Sequence, residues 1–268
     1  MAEIDTSRRI VSHVHGMERI APRRDLVYRR ENGIDLLMDV YAPPEVCSDA
    51  RLPAVLFLHG PIPADMLPPK DWGHFRSYGE LLAASGLIGV TFNRRFQTPS
   101  QLPESQADLV AAIDYVRTHA SELHVDPERI GIWVFSFAGP HVSWVLRERP
   151  SCVRCLLAFY AVLDMRHMLP PDPDAATVSL VNEASAAAYV RQHAGDLPMF
   201  VARAGLDAAM INQGVDLFIQ EALAGNASLD FVNHTQGRHG FDSIDDDDRS
   251  REIISSAVAF AKRHLLRV

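Results

Sequence analysis

Cysteine is scarce in this chain. There are 3 in 268 residues, an odd number and too few for a disulfide framework. Cys152 and Cys155 form a lone C-x-x-C, whereas a structural zinc site needs two such pairs or added histidines. They read as strand residues of "CVRCLLAFYAVLD", and no metal site is expected. Long apolar runs are missing as well; none reaches transmembrane length. The N-terminal "MAEIDTSRRIVSHVHGMERIAPRRD" has no apolar core of the kind a signal peptide carries. A cytoplasmic protein without a membrane partner is therefore expected. There is no basic face either. Lys+Arg number 26 against 34 Asp+Glu, a net charge of −8, and pairs such as Arg23-Arg24 and Arg29-Arg30 are scattered. Nothing there would displace counterions from a phosphate backbone, so nucleic acid is not an expected partner. Internal repeats and low-complexity tracts are absent too.

What is present is ordinary globular material, 47% hydrophobic and 22% charged, enough for a packed core. "LVYRRENGIDLLMDVYAP" gives two strand-like runs around Asn32-Gly33, a strong hairpin signal. "LPAVLFLHG", "LIGVTFNRRF", "RIGIWVFS", "CVRCLLAFYAVLD" and "PMFVARAGLD" are continuous apolar runs, as strands covered on both faces require. Helical segments lie between them. "ESQADLVAAIDYVRTHASEL" sets Leu109, Ile113 and Val116 on one face, and "MINQGVDLFIQEALAGN" does the same with Val215, Phe218, Ile219 and Leu223. The last helix opens on the acids of "DDDDRSRE" and closes on bases, which complements the helix dipole. The alternation predicts an α/β fold: a mostly parallel sheet with an antiparallel start and helices on both faces. One domain over 1–268 is expected, with an N-terminal extension over 1–24. Residues 165–197 are too long for a simple connection and predict a small cap-like helical insertion that helps shape a binding site.

The run "ERIGIWVFSFAGPHV" ends its apolar stretch at Ser136, and small residues follow. A serine on a strand-to-helix turn projects from the carboxyl edge of a sheet, and the amides of the next helix start face it. Ala138 and Gly139 supply the clearance such a turn needs. Serine becomes a nucleophile only with a base and a group that orients the base. Of 12 histidines, His239 lies in a polar loop between a strand-like run and the last helix; His234 and His141 are the rivals. Asp207, ending "FVARAGLD", stands on a loop of the same kind, with Asp164 its rival.

Ser, Asp, His is the chain order of α/β-hydrolases, and the chain resembles their esterase and dienelactone-hydrolase-like branch over roughly residues 25 to 265. "VLFLHG" resembles the oxyanion-hole turn, "GIWVFSFAG" the nucleophile elbow, "AGLD" the acid turn and "GRHGFD" the histidine turn. The resemblance implies Ser136 as nucleophile, His239 as general base and then acid, and Asp207 rather than Asp164 as the orienting carboxylate. It implies carboxylic ester hydrolysis through an acyl-enzyme, with no cofactor and a small-molecule ester as substrate. Dienelactone hydrolases typically use a cysteine where Ser136 stands, so their substrate is not carried over.

Two departures stand out. Val134 occupies the place where the elbow usually has Gly. Pro61, which has no N–H, follows His59-Gly60 where relatives often carry further glycines. One oxyanion donor is then the Phe137 backbone, and the other is sought in Ile62, Gly60 or a nearby side chain. His59 reads as a brace for the turn and a candidate to line the substrate pocket, while Trp72, His74, Phe75 and Tyr78 of "DWGHFRSYG" read either as pocket lining or as core packing. The departures also motivate a ligand-binding hydrolase fold without catalysis, while peptidase-like relatives that use the same triad usually carry an accessory domain not evident here. Arg94 and Arg95 read as either substrate carboxylate contacts or surface ion pairs. Oligomeric state is left open, a homodimer included.

Overall fold

The computed structural model describes residues 5–45 and 50–266; Cys47 and both ends of the 1–268 span lie outside them. The Asn-Gly signal becomes a hairpin. Strands β1 (Arg23–Glu31) and β2 (Ile34–Tyr41) pair antiparallel. Asn32 and Gly33 both have positive φ, 51° and 78°, as a two-residue hairpin loop of matching twist requires. The other apolar runs form β3 (Leu52–Leu58), β4 (Ile88–Phe92), β5 (Val125–Phe135), β6 (Val153–Phe159), β7 (Met199–Ala204) and β8 (Leu229–His234). They assemble in the order β1-β2-β4-β3-β5-β6-β7-β8. β2 meets β4 antiparallel, and every later pair is parallel.

Helices cover both faces because the strands alternate apolar residues to both sides. Leu56, Leu58, Ile132 and Val134 face one core, and Val55, Phe57, Trp133 and Phe135 face the other. The first core is closed by α2 (Leu102–Thr118), α4 (His141–Glu148) and α7 (Ala209–Ala224), with α3 (Ala120–Leu123) beside it. The second is closed by α1 (Gly73–Ala84) and α9 (Asp248–Leu265). Its centre is aromatic: Phe57, Tyr78, Trp133, Phe135 and Phe159 stack within 6.3 Å of one another in successive pairs. Each such ring is worth roughly 1.5–3 kcal/mol on full burial, so this face fixes β3, β5 and β6 relative to one another. The acidic start of α9 has a specific use, since the Asp247 carboxylate accepts the Ser250 N–H at 2.7 Å and caps the helix.

The remaining short helices are α5 (Ala175–Ala184), α6 (Val190–His193) and α8 (Phe241–Ile244). α5 and α6 belong to the 165–197 segment. Val181 and Ala184 of α5 pack with Phe96, Leu102 and Val162, and Phe137 lies against the same cluster. Among the described residues no helix is long and apolar enough to cross a membrane.

Candidate active site

The carboxyl ends of β3, β5 and β7 open on one edge of the sheet, and the loops there carry Gly60, Ser136 and Asp207. The loop after β8 brings His239 to the same edge. Ser136 O–H donates to His239 Nε2 at 2.9 Å, and His239 Nδ1–H donates to Asp207 Oδ2 at 2.7 Å. A carboxylate only accepts, so it fixes the proton on Nδ1 and leaves the Nε2 lone pair for the serine. The other Asp207 oxygen accepts the Ala208 N–H at 2.7 Å, and the Asp207 side chain is 3% exposed. The His239 ring is held edge-to-face by Tyr160, with centroids 4.8 Å apart. The rivals are used elsewhere. Asp164 is clasped by Arg166, His234 ends β8 against Ser250 Oγ, and His141 is buried in α4.

Ser136 has φ 54°, a conformation that a non-glycine residue avoids and that an elbow imposes. The turn is locked by its own carbonyl, which accepts both the Gly139 N–H (3.1 Å) and the Val162 N–H (2.9 Å). Val134 does not obstruct it. Its side chain is fully buried in the first core with Ala138, while the tight approach is at Gly139. A Cβ there would lie 2.2 Å from the Val162 carbonyl oxygen. The clearance is thus needed against the chain leaving β6, not against β5.

The turn after β3, expected from the sequence to supply an oxyanion donor, differs from one expectation. Ile62 is removed as a donor because its N–H donates to the Phe96 carbonyl at 3.0 Å. Gly60 instead lies directly against the elbow, where a Cβ would sit 3.1 Å from Phe137 Cβ and 3.3 Å from Phe137 N. Phe137 lies in a single 3₁₀ turn, Ser136–Ala138, too short to give its N–H an intrahelical acceptor. His59 braces the turn: its Nδ1–H donates to the Gly60 carbonyl at 2.6 Å.

A cavity of about 620 Å³ opens beside Ser136 and His239, within the usual range for small-molecule sites. Trp72, Phe75, Phe135, Tyr160 and Ile244 make its wall largely apolar, and His59 also lines it. Tyr78 does not. It is wholly buried, and its phenol donates to Asp242 Oδ2 at 2.7 Å, so its expected pocket role is corrected to a core one. The N-terminal segment supplies a wall that the sequence did not suggest, since Asp5 and Arg8 reach the cavity. The segment is fastened by Thr6, whose carbonyl accepts the Gly73 N–H at 2.8 Å, and by Val11, whose N–H donates to the Asp242 carbonyl at 2.8 Å. Gly73 must be Gly here, since a Cβ would meet the Ser7 carbonyl oxygen at 2.2 Å. No residue of 165–197 is among those lining the cavity.

Two buried polar networks lie behind the site. Asp242 is fully buried and accepts both Tyr78 (2.7 Å) and Tyr160 (2.8 Å), with His74 Nε2 at 3.5 Å. This carboxylate sets the phenol whose ring abuts His239. The second network centres on Arg94, and the surface or substrate role expected for it does not hold: it is 7% exposed and faces no carboxylate within ion-pair distance among the described residues. Arg95 is the ion-paired one, with Asp108 at 2.7 Å. Burial pushes the thiol of Cys155 up to about 12. Among the described residues no group of three or more His, Cys, Asp or Glu is placed to hold a metal.

His59, His74 and His141 are lowered chiefly by burial; the Arg94 cation adds to the effect at His59 and His141, and Asp242 opposes it at His74. Each folded value lies below the ordinary value near 6.5. The unfolded chain therefore binds more protons as pH falls through that value, and stability present above about pH 6.5 is lost below it. The slope from each histidine reaches at most about 1.4 kcal/mol per pH unit. Urea unfolding midpoints are expected to hold above about pH 7 and to fall from there to pH 5.5; a flat profile would show that these rings take up protons as readily in the folded chain as in the unfolded one.

Residues 38–147 match the BD-FAE family model, and nothing among curated proteins matches the chain. Solved structures of a thermophilic esterase from the Planctomycetes species Thermogutta terrifontis are similar in fold. Its native form has TM-score 0.71 and 21% identity, with 92% of this chain and 93% of that chain covered. The butyrate-bound form gives 0.69 and 22%, covering 93% and 94%, and the form phosphoramylated by tabun 0.68 and 20%, covering 93% and 95%. With the eight-stranded sheet and its edge loops, these likenesses show that the chain has the α/β-hydrolase fold.

Proposed function

We propose that the chain is a serine hydrolase of carboxylic esters. The observation that carries this reading is the Ser136–His239–Asp207 relay, 2.9 and 2.7 Å long, at the edge of an apolar cavity. Ser136 Oγ attacks the ester carbonyl carbon while its proton passes to His239 Nε2, and the carbonyl electron pair moves onto oxygen. The intermediate collapses, the C–O bond to the alcohol breaks, and the alkoxide leaves with the proton from Nε2. A water, deprotonated by the same nitrogen, attacks the acyl-enzyme. Its collapse returns the proton to Ser136 and releases the acid. Asp207 holds the imidazole in the required tautomer and stabilises the imidazolium.

The Thermogutta esterase, solved with butyrate and as a phosphoramylated enzyme, supports this reading by analogy of fold. Val181 and Ala184 of the 165–197 segment belong to the apolar cluster that Phe137 lies against. Turnover of a short-chain 4-nitrophenyl ester and of an aminoacyl 4-nitroanilide separates the alternatives. The ester is expected to be cleaved faster, because the cavity beside Ser136 has a largely apolar wall. Faster anilide cleavage would move the reading to a peptidase, and no turnover of either would end it.

A further inference from the structure

Arg94 is a buried guanidinium whose immediate partners are all neutral. It follows β4, and its Nη1 donates to Ser105 Oγ at 2.6 Å and to His141 Nε2 at 2.8 Å. Its Nη2 donates to the carbonyl oxygen of His59. Phe92 and Phe96 sit 5.9 and 5.4 Å from the guanidinium carbon. The nearest acid that influences it, Asp108, is already bound by Arg95 and Arg29. Burial lowers Arg94 to about 10, which keeps it cationic at neutral pH. Burying a cation without an anion costs several kcal/mol, so its placement calls for a use.

That use is visible in what it joins. The His59 carbonyl belongs to the same peptide unit as the Gly60 N–H, and Gly60 lies against Phe137 beside Ser136. A cation donating to the carbonyl draws electron density from the peptide and makes its N–H a stronger donor, as in any polarised hydrogen-bond chain. The other arm reaches the elbow. His141 accepts Arg94 at Nε2 and donates from Nδ1–H to the Ala138 carbonyl at 3.0 Å. One side chain thereby spans the two turns on either side of the developing oxyanion.

Resting on the ester-hydrolase reading above, we propose that Arg94 is a positioning residue for the oxyanion site. It holds and polarises the His59–Gly60 peptide so that the Gly60 N–H, with that of Phe137, receives the negative oxygen. Pro61 has no N–H, and Ile62 is engaged by Phe96; Gly60 is the donor that remains in this turn, and Arg94 is the charge behind it.

The test uses Arg94→Met and Arg94→Lys, a short-chain 4-nitrophenyl ester, and an alkyl trifluoromethyl ketone, which forms a tetrahedral adduct with the serine. Losing one oxyanion donor costs about 10²–10³ in rate. Arg94→Met is therefore expected to lose about a hundredfold in kcat with KM little changed, and to bind the ketone more weakly by a similar factor. Arg94→Lys keeps the charge but cannot span both turns; it is expected to lose roughly tenfold in kcat. Equal losses in the two variants, a loss confined to KM, or unchanged ketone affinity would overturn the proposal. If the methionine variant does not fold, wild-type kcat in the lysine variant would overturn it instead. An inert wild type that does not bind the ketone would overturn the ester-hydrolase reading itself, whereas active variants on an active wild type overturn only the role of Arg94.

Discussion

Ser136→Ala is expected to lower kcat for a short-chain aryl ester by about 10⁶-fold, leaving KM nearly unchanged. Without Oγ no acyl-enzyme forms, and what is left is whatever the oxyanion donors and binding give to direct attack by water. Adding His239→Ala to that variant is expected to change little further, because both side chains serve one proton transfer. Asp207→Asn is informative for a reason particular to this chain. One Asp207 oxygen already accepts the Ala208 N–H, so an amide would keep its carbonyl oxygen there and present its NH₂ to His239. The ring would then carry its proton on Nε2, where it cannot accept from Ser136. A loss of about 10⁴ in kcat is expected. Turnover of the four proteins, each checked for folding by circular dichroism, measures all of this. A Ser136→Ala protein with more than a few per cent of wild-type kcat would remove the serine from the mechanism.

Gly139→Ala is expected to be the most disruptive single methyl that can be added near the site. The new Cβ would lie 2.2, 2.6 and 2.8 Å from the O, C and N atoms of Val162. All three are backbone atoms, so no rotamer change relieves the clash. Nor is the helix free to retreat, since Gly139 and Val162 are both tied to the Ser136 carbonyl. Gly139 has φ −46°, an ordinary value for any residue, so the effect isolates packing from backbone conformation. Overpacking of this severity costs about 3 kcal/mol or more. Displacing the elbow by about 1 Å would cost a further hundredfold in rate. Thermal unfolding and ester turnover of the variant read the two effects separately. A variant that melts and reacts like the wild type would show that the elbow has slack this structure does not contain.

Much of this arrangement was legible in the sequence because it is local. Asn32-Gly33 specified the hairpin, the continuous apolar runs specified strands covered on both faces, and the loop at each strand end carried its own serine, acid or histidine. What was not legible depends on contacts between distant segments. Nothing around Ile62 says that Phe96 will take its N–H, and nothing around Tyr78 says that Asp242 will meet it from the far end of the chain. Arg94 gave a misleading signal, since a charged residue after a strand is usually solvated. Three neutral partners from three separate segments accept from it instead. The cavity was the least predictable part. A long helical segment, 165–197, suggested a lid. Asp5 and Arg8 add to its wall instead, on a segment whose sequence shows no periodicity and whose position depends on Gly73 having no side chain. His141, five residues past the serine, offered a weak signal: a histidine in the first turn after an elbow has the Ala138 carbonyl and the oxyanion turn within reach.

The central claim is that Ser136 is an activated nucleophile. Reaction of the wild type and of Ser136→Ala with a fluorophosphonate, followed by intact-mass and peptide mass spectrometry, tests it most directly. The account predicts one phosphonyl equivalent per wild-type chain, located on Ser136, with ester turnover lost in step with labelling and no adduct on the variant. A wild type that stays unlabelled, or an adduct on any other residue, would contradict it.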